Sequence, residues 1–172
     1  MNNKFKIKSI VIEHKLDEDI DTSFLGEYTS DLDDGVIVKQ YDKFYEDLTE
    51  EEIEEINTRN REHTGFKPYA GGEKVGTKDY REYGLQDYKR MEQLNNGAFS
   101  FVGVIANANI FLEENGCTTY QKITSGGIWG IESDDESGTE ESEKNQIEDL
   151  KHQLEYLNVD VSNFDHIKID RK

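Results

Sequence analysis

The feature that most constrains the fold is an apolar run at residues 98–112 (AFSFVGVIANANIFL), which contains no charged side chain. A strand with one solvent-exposed face alternates apolar and polar residues. A strand buried on both faces has apolar residues at both its odd and its even positions. One alternation carries Ala98, Val102, Val104, Ala106 and Ile110, and the other carries Phe99, Phe101, Ile105 and Phe111. The run therefore predicts a strand at the centre of a sheet.

Shorter segments predict the partners of this strand. The Asn-Gly pair at residues 115–116 is a hairpin signal, and it joins the central strand to a predicted strand at residues 117–124. Residues 128–131 are typical of a short strand or a bulged continuation, because glycines precede and interrupt them. β-Branched and aromatic residues predict further strands at residues 5–12 and 36–45, and the apolar tail indicates a short edge strand.

Three segments carry helix signals. Thr49 and Glu52 have the spacing of a capping box and predict a helix that runs to about Arg61. A stripe of aromatic and apolar residues predicts a second helix over residues 79–94, which an Asn-Asn-Gly stop ends. The stripe of the third helix comprises Ile147, Leu150, Leu154 and Leu157.

Together these elements predict an α+β fold. The expectation is a single domain over residues 1–172, with an antiparallel sheet of four or five strands and about three helices packed on it. A glycine-containing stretch at about residues 62–78 is expected to be a mobile loop. Residues 132–146 are expected to form a polar, acidic segment outside the core.

The charge balance limits the partners. Lys and Arg number 20 and Asp and Glu number 38, which gives a net charge of −18. Such a charge repels DNA and anionic membranes, so it predicts a cationic partner or a protein that itself binds nucleic acid. Cys117 is the only cysteine, so no internal disulfide forms, and no long apolar run marks a leader or a membrane span. These features predict a cytoplasmic protein.

The acids concentrate at residues 42–62 and 132–149. The helix macrodipole accounts for acids in a first helical turn, at about 0.3–1 kcal/mol each. It does not account for Glu54 and Glu55, which follow Glu50 and Glu51 by four residues, a spacing at which like charges repel. Acids on successive turns lie about 6 Å apart, roughly like a row of phosphates. The alternative is an ordinary solvated surface. The candidate partner-binding residues are Glu50, Glu51, Glu54, Glu55, Asp134, Asp135, Glu136, Glu140, Glu141 and Trp129.

Other chemistry has weaker support. Trp129, surrounded by glycines, is interpreted as a core residue or, alternatively, as a contact anchor. The tyrosines near residues 69–88 are interleaved with basic residues, and core packing is the favoured explanation over base stacking. His14 with nearby acids at residues 17–21, and the acidic stretch at residues 31–35, only faintly resemble metal sites. We therefore expect no metal, no cofactor and no catalytic residue.

Three segments resemble an unnamed family of small acidic proteins encoded by bacteriophages and other mobile elements. They are Leu-Gly-Glu-Tyr at residues 25–28, residues 86–92 (QDYKRME) and residues 123–134 (ITSGGIWGIESD). The family has no established catalytic residue. The resemblance implies an inhibitor of host defence, such as an anti-CRISPR or anti-restriction protein in the host cytoplasm. The chain departs from the family pattern in its acids at residues 49–62.

The leading hypothesis is therefore a non-catalytic inhibitor whose acidic patches bind the basic, nucleic-acid-binding surface of a host defence protein. The first alternative is a structural or regulatory phage protein that contacts its partner through the Trp129 loop and the tyrosine-rich helix. The second alternative is a metal-dependent enzyme.

Overall fold

The computed structural model describes residues 4–58 and 65–172, and it divides the chain into two compact units. Unit 1 comprises Met1–Ile20 and Phe99–Lys172, and unit 2 comprises Asp21–Ala98. Each unit contains its own sheet, one of five strands and one of four. The predicted α+β class is confirmed. The strands belong to two sheets, whereas the sequence pattern had suggested one.

The sheet of unit 1 is built around its longest strand. Its strands are β1 (Lys6–Leu16), β6 (Phe101–Glu114), β7 (Cys117–Thr124), β8 (Ile128–Glu132) and β9 (Ile169–Arg171). The order is β7-β6-β1-β9, and β8 also pairs with β6. The predicted central strand and the hairpin at residues 115–116 are confirmed. Strand β9 runs parallel to β1, so the sheet is mixed rather than purely antiparallel.

Helix α3 (Glu136–Tyr156) covers one face of this sheet. The core on that face comprises Ile10, Ile12, Val104, Ala106, Ala108, Ile110, Leu150, Leu154, Val159 and Phe164. Two members of the predicted stripe, Leu150 and Leu154, are fully buried, whereas Leu157 caps the helix and is 52% exposed. The predicted acidic segment at residues 132–146 is the end of β8 and the first half of α3.

The sheet face opposite α3 is called the outer face below. The alternation of β6 places Gly103, Ile105, Asn107, Asn109 and Phe111 on it, because the even-numbered neighbours belong to the core under α3. From Phe101 to Ile110 the strand is almost continuously buried, as the apolar run predicts.

Unit 2 packs a small sheet against a helix. Its strands, in the order β2-β5-β3-β4, are β2 (Gly26–Thr29), β3 (Ile37–Val38), β4 (Lys43–Phe44) and β5 (Gly65–Pro68), and its helices are α1 (Glu50–Asn57) and α2 (Lys78–Asn95). The core comprises Leu25, Ile37, Phe44, Phe66, Ala70, Tyr80, Tyr88 and Met91. Helix α2 agrees with the predicted span within one residue at each end.

Two predictions for unit 2 need correction. The strand predicted at residues 36–45 is a short hairpin of β3 and β4, because the chain turns at Asp42, which has a left-handed φ of 52°. The predicted mobile loop contains β5, which lies between β2 and β3 with Phe66 fully buried. Residues 62–64 of that loop and residues 59–61 of the first predicted helix lie outside the described residues.

Candidate functional site

The first acidic surface is helix α1 in unit 2. Its capping box is confirmed: Glu52 N donates to Thr49 Oγ1 at 3.2 Å, and Thr49 N donates to Glu52 Oε2 at 2.9 Å. Ile56 is buried beneath the helix. The four predicted partner-binding residues of this helix, Glu50, Glu51, Glu54 and Glu55, are exposed.

Several acids of α1 have local structural roles. Glu52 contacts Lys43 Nζ at 2.8 Å, and this hydrogen bond, with that from the Thr49 backbone, holds the Glu52 pKa below its usual value. Glu55 accepts a hydrogen bond from the Tyr41 hydroxyl at 2.7 Å. Glu50 lies in the first turn, where the helix dipole favours it. Local stabilisation thus explains part of the acid content of α1.

The second acidic surface begins at the N-terminus of α3 in unit 1. Between residues 132 and 143 the chain contains no Lys or Arg. The exposed acids in this segment are Asp134, Asp135, Glu136, Glu140 and Glu141. We call these five residues the α3 acidic patch. They lie on one continuous segment, so the structure brings all five together.

Within this patch, Asp135 has a local role at the start of α3. Asp135 is the N-cap of α3, and its carboxylate accepts from Gly138 N at 3.0 Å and from Ser137 Oγ at 2.9 Å. The bond from the Gly138 backbone, first, and that from Ser137 hold the Asp135 pKa below its usual value. Glu140 and Glu141 lie beyond the first turn, where the dipole effect has faded.

The solvent-facing line of α3 continues the acidic surface. Glu141, Glu148 and Glu155 recur every seven residues, which returns each to the same face about 10 Å further along the helix. All three are exposed. Lys144 and Lys151 flank this line, so the C-terminal half of the surface is mixed in charge.

One acid of α3 faces the opposite way. Glu143 is 8% exposed, and its two oxygens contact His14 Nε2 at 3.1 Å and Arg171 Nε at 2.8 Å. This contact joins α3 to β1 and β9. His14 thus has a structural partner other than the acids of residues 17–21. Among residues 4–58 and 65–172 no three metal-ligand side chains converge.

The glycine-rich segment at residues 123–134 makes a tight crossing from β7 to β8. Ser125 Oγ accepts from Ala106 N at 2.9 Å, and Gly127 N donates to Gln146 Oε1 of α3 at 2.8 Å. Gly130 N donates to Asp17 Oδ2 at 3.1 Å. Gly127 and Gly130 have left-handed φ values of 80° and 77°, which explains the glycines. The segment is an architectural motif that ties β6 to α3.

Trp129 is not buried in the core. Its indole ring lies over Gly103, where a Cβ would collide with it, and 48% of the residue is exposed. The core interpretation was therefore wrong, and one side of the ring is open to solvent. Because Trp129 covers Gly103, it lies on the outer face, whereas α3 packs on the other face. The structure does not bring Trp129 together with the α3 acidic patch.

A polar network along α2 was not foreseen from the sequence. The Tyr28 hydroxyl donates to Glu92 Oε1 at 2.5 Å, and Lys39 Nζ lies 3.0 Å from the same oxygen. The Tyr88 hydroxyl donates to Asp42 Oδ1 at 2.9 Å. Burial, and then the neighbouring carboxylate, raise the pKa of both tyrosines. The phenols are therefore neutral donors, and they are poor nucleophiles.

This network borders a cleft of about 570 Å³, which is lined by Asp42, Leu85, Tyr88, Lys89, Glu92, Gln93 and Asn96. Tyr80 is also buried, and its hydroxyl donates to Gly35 O at 2.9 Å. Core packing of Tyr80 and Tyr88, the favoured explanation for these tyrosines, is confirmed, whereas Tyr69 and Tyr83 are exposed. Tyr28 and Glu92 are 64 residues apart, so no local spacing predicts their contact.

No protein-family model, curated protein or solved structure matches the chain. Within the described ranges 4–58 and 65–172, no helix has the length and apolar character that a membrane crossing requires. The described residues offer two exposed acidic helical surfaces, a half-exposed tryptophan and polar clefts. Of these, the acidic surfaces define a ligand preference most sharply, because clustered carboxylates favour cations.

Proposed function

We propose that the chain is a non-catalytic inhibitor that binds the basic, nucleic-acid-binding surface of another protein through its acidic helices. The observation that carries this proposal is the α3 acidic patch: five exposed acids, with no Lys or Arg between residues 132 and 143. The patch spans the N-terminus of α3, a helix that the buried residues Leu150 and Leu154 anchor to the sheet. The carboxylates are thus presented on a rigid support.

The spacing of these acids supports binding to a groove that accepts phosphates. Glu136 and Glu140 are one helical turn apart, which separates them by about 6 Å along the axis. A groove built for nucleic acid reads charge mainly through Lys and Arg, and Arg binds carboxylate and phosphate in the same bidentate manner. The exposed acids of α1 would provide a second, smaller contact of the same kind.

The biological context of this proposal comes from the sequence resemblance to mobile-element proteins. It suggests that the partner is a host defence effector, either an RNA-guided nuclease or a restriction enzyme, and that the encounter takes place in the host cytoplasm. Inhibition would follow from occupancy of the groove that the effector's nucleic acid requires. No cofactor takes part in this mechanism.

A DNA-cleavage assay tests the proposal. Purified RNA-guided nucleases and restriction enzymes would each be mixed with the protein and a linear DNA substrate. The test variant combines Glu136→Gln, Glu140→Gln, Glu141→Gln and Glu148→Gln. The matched control combines Glu18→Gln, Asp19→Asn, Glu113→Gln and Glu114→Gln, which remove the same charge at exposed positions outside the helices of unit 1.

We expect the wild-type chain and the control to inhibit a member of the panel, and the α3 variant to lose at least tenfold in potency. Binding of the wild-type chain and of the control should also weaken at high salt, because salt screens exposed ion pairs. Equal inhibition by the α3 variant and the wild type would contradict the proposal. Absence of inhibition across both classes would contradict the choice of partner.

A second candidate function rests on Trp129. An aromatic ring that is half exposed above a glycine resembles the aromatic anchors of protein interfaces. In this case the chain is a structural or regulatory protein that contacts its partner through the outer face. Trp129→Ala would then abolish binding, and the α3 variant would bind normally, which is the reverse of the result expected above.

A further inference from the structure

The outer face of unit 1 has a different chemistry from the α3 side. Its first two cross-strand rows are Lys6–Phe111–Tyr120 and Ser9–Asn109–Lys122. Lys8 lies between these rows at a register shift of β1. Three lysines and two aromatic residues therefore occupy one end of this face, in a chain whose net charge is −18.

These rows enclose a shallow cleft of about 510 Å³, which is lined by Lys8, Ser9, Asn109, Tyr120, Gln121 and Lys122. Tyr120 is 61% exposed, and the Lys8 ammonium lies 4.8 Å from the centre of its ring. The Asn109 amide donates to Ser9 Oγ at 3.0 Å. The cleft thus combines an accessible ring, flexible cations and an amide that has further hydrogen-bonding capacity.

The residues that line the cleft carry positive charge. Glu13 lies 3.8 Å from Lys122 Nζ, and Asp160 pairs with Lys6 through the backbone at the edge of the sheet. Of the residues that line the cleft, two are lysines, Lys8 and Lys122, and none is acidic. At physiological salt, charges further than about 8–10 Å are largely screened, so the distant acids oppose an anionic ligand only weakly.

We propose that this cleft binds a nucleotide of a single-stranded nucleic acid, with its base against Tyr120 and its phosphate at Lys8 and Lys122. An exposed ring provides stacking that any base satisfies, and the lysines track the phosphate. The weak contact between Lys8 and the ring is readily exchanged for a phosphate contact. This site is an exception to the repulsion of nucleic acid that the whole-chain charge predicts.

The single-stranded nucleic acid would continue along β7 towards Trp129. Thr124 pairs with Asn107 on the same face, and Trp129 covers Gly103 further along β6. The positions opposite Tyr120 and Trp129 are eight residues apart on β6, which corresponds to a span of about 26 Å. A single nucleotide cannot contact both rings, whereas a short oligonucleotide can.

Fluorescence anisotropy tests this proposal with labelled oligothymidylate and oligouridylate of about eight nucleotides, a length within the range that single-strand-binding folds cover. Tyr120→Ala should weaken binding about tenfold because it removes the stacking ring. Tyr120→Phe retains the ring and should bind as the wild type does. The pair Lys8→Gln and Lys122→Gln should also weaken binding about tenfold. Its charge-matched control, Lys144→Gln with Lys151→Gln on α3, should not.

Three outcomes would overturn the proposal: no binding by the wild-type chain, equal losses in the two lysine pairs, or undiminished binding by Tyr120→Ala. Competition separates a strand from a free nucleotide: unlabelled oligothymidylate should compete at a concentration at least tenfold lower than thymidine monophosphate does. Equal potency per nucleotide would contradict the proposal that the site binds a strand.

The α3 variant described above should bind the oligonucleotide at least as tightly as the wild type, because it lowers the overall negative charge. The cleft variants should inhibit as the wild type does. A failure of either proposal is therefore distinguishable from a failure of the other.

Discussion

The two acidic helices differ in what their acids do within the fold. Helix α1 has eight residues, and its carboxylates complete a capping box, pair with Lys43 and accept from Tyr41. Helix α3 has 21 residues, and beyond its N-cap the exposed acids Glu140 and Glu141 lie outside the first turn. A high density of acids is therefore not evidence of function by itself. The acids that the fold does not require are the better candidates.

The helices also differ in how they are anchored. Leu150 and Leu154 of α3 have no exposed surface, and Glu143 joins the helix to β1 and β9. Helix α1 has one buried residue, Ile56. A rigid acidic surface loses less entropy on binding than a loosely held one. This difference makes α3 the main contact in the proposal and α1 the minor one.

The largest effect is expected from the anchor of α3. Leu150→Ala removes a fully buried side chain and should lower the free energy of unfolding by about 2–5 kcal/mol. Ile53→Ala in α1, where the side chain is only partly buried, should cost less. Urea unfolding followed by circular dichroism measures both values. Equal losses would show that the two helices are anchored equally well and would remove this part of the comparison.

Charge reversal should separate the two helices in binding. Changing Glu136, Glu140, Glu141 and Glu148 to Lys should weaken binding to the inhibited effector by at least about 100-fold, since each lost contact becomes a repulsion. The same reversal at Glu50, Glu51, Glu54 and Glu55 should cost about tenfold. Isothermal titration calorimetry measures both constants. A larger loss from the α1 variant would invert the assignment of main and minor contact.

Helix capping provides a smaller effect on the α1 side. Thr49→Ala removes the N-cap oxygen and should lower the free energy of unfolding by about 1 kcal/mol. Thr49→Ser keeps the oxygen and should cost much less. Because the exposed acids remain in place, inhibition should change little in either variant. A strong loss of inhibition in Thr49→Ala alone would show that α1 must be well ordered for binding.

The smallest effect concerns the cap of α3 and depends on pH. The Asp135 pKa is depressed in the folded state, so its carboxylate contributes stability above its unfolded pKa, and this stability is lost as the pH falls through the lower folded value. Asp135→Asn preserves a capping side chain and removes the titration. The stability difference between the wild type and this variant should therefore shrink below about pH 4. Thermal unfolding at several pH values measures it, and a difference that grows towards low pH would contradict the assignment.

The sequence predicted those elements whose signals are local. The apolar run of β6, the Asn-Gly turn after it, the Thr49–Glu52 box and the span of α2 all agree with the structure. In each case neighbouring residues supply the whole signal: an alternation, a turn pair or a cap spacing. The exposure of the candidate acids on α1 and at the start of α3 followed from their charge.

The features that were missed depend on distant residues. Strand β9 pairs with β1, although most of the chain separates the two strands in sequence. Strand β5 was mistaken for a loop because Gly65 precedes the buried Phe66 and Pro68 follows it. Trp129 was predicted to be a core residue. Its ring instead covers Gly103 on a neighbouring strand, and the local sequence does not reveal such a contact between two strands. The separation of the strands into two sheets was missed for the same reason, since apolar patterning does not reveal which strands share a sheet.

The measurement that tests the central claim most directly is the salt dependence of binding to the inhibited effector. The account predicts that the affinity of the wild-type chain falls steeply with salt. The variant with Gln at Glu136, Glu140, Glu141 and Glu148 should show a clearly shallower slope, whereas the matched control should keep the wild-type slope. Identical slopes for all three proteins would contradict the claim that the carboxylates of α3 make the contact.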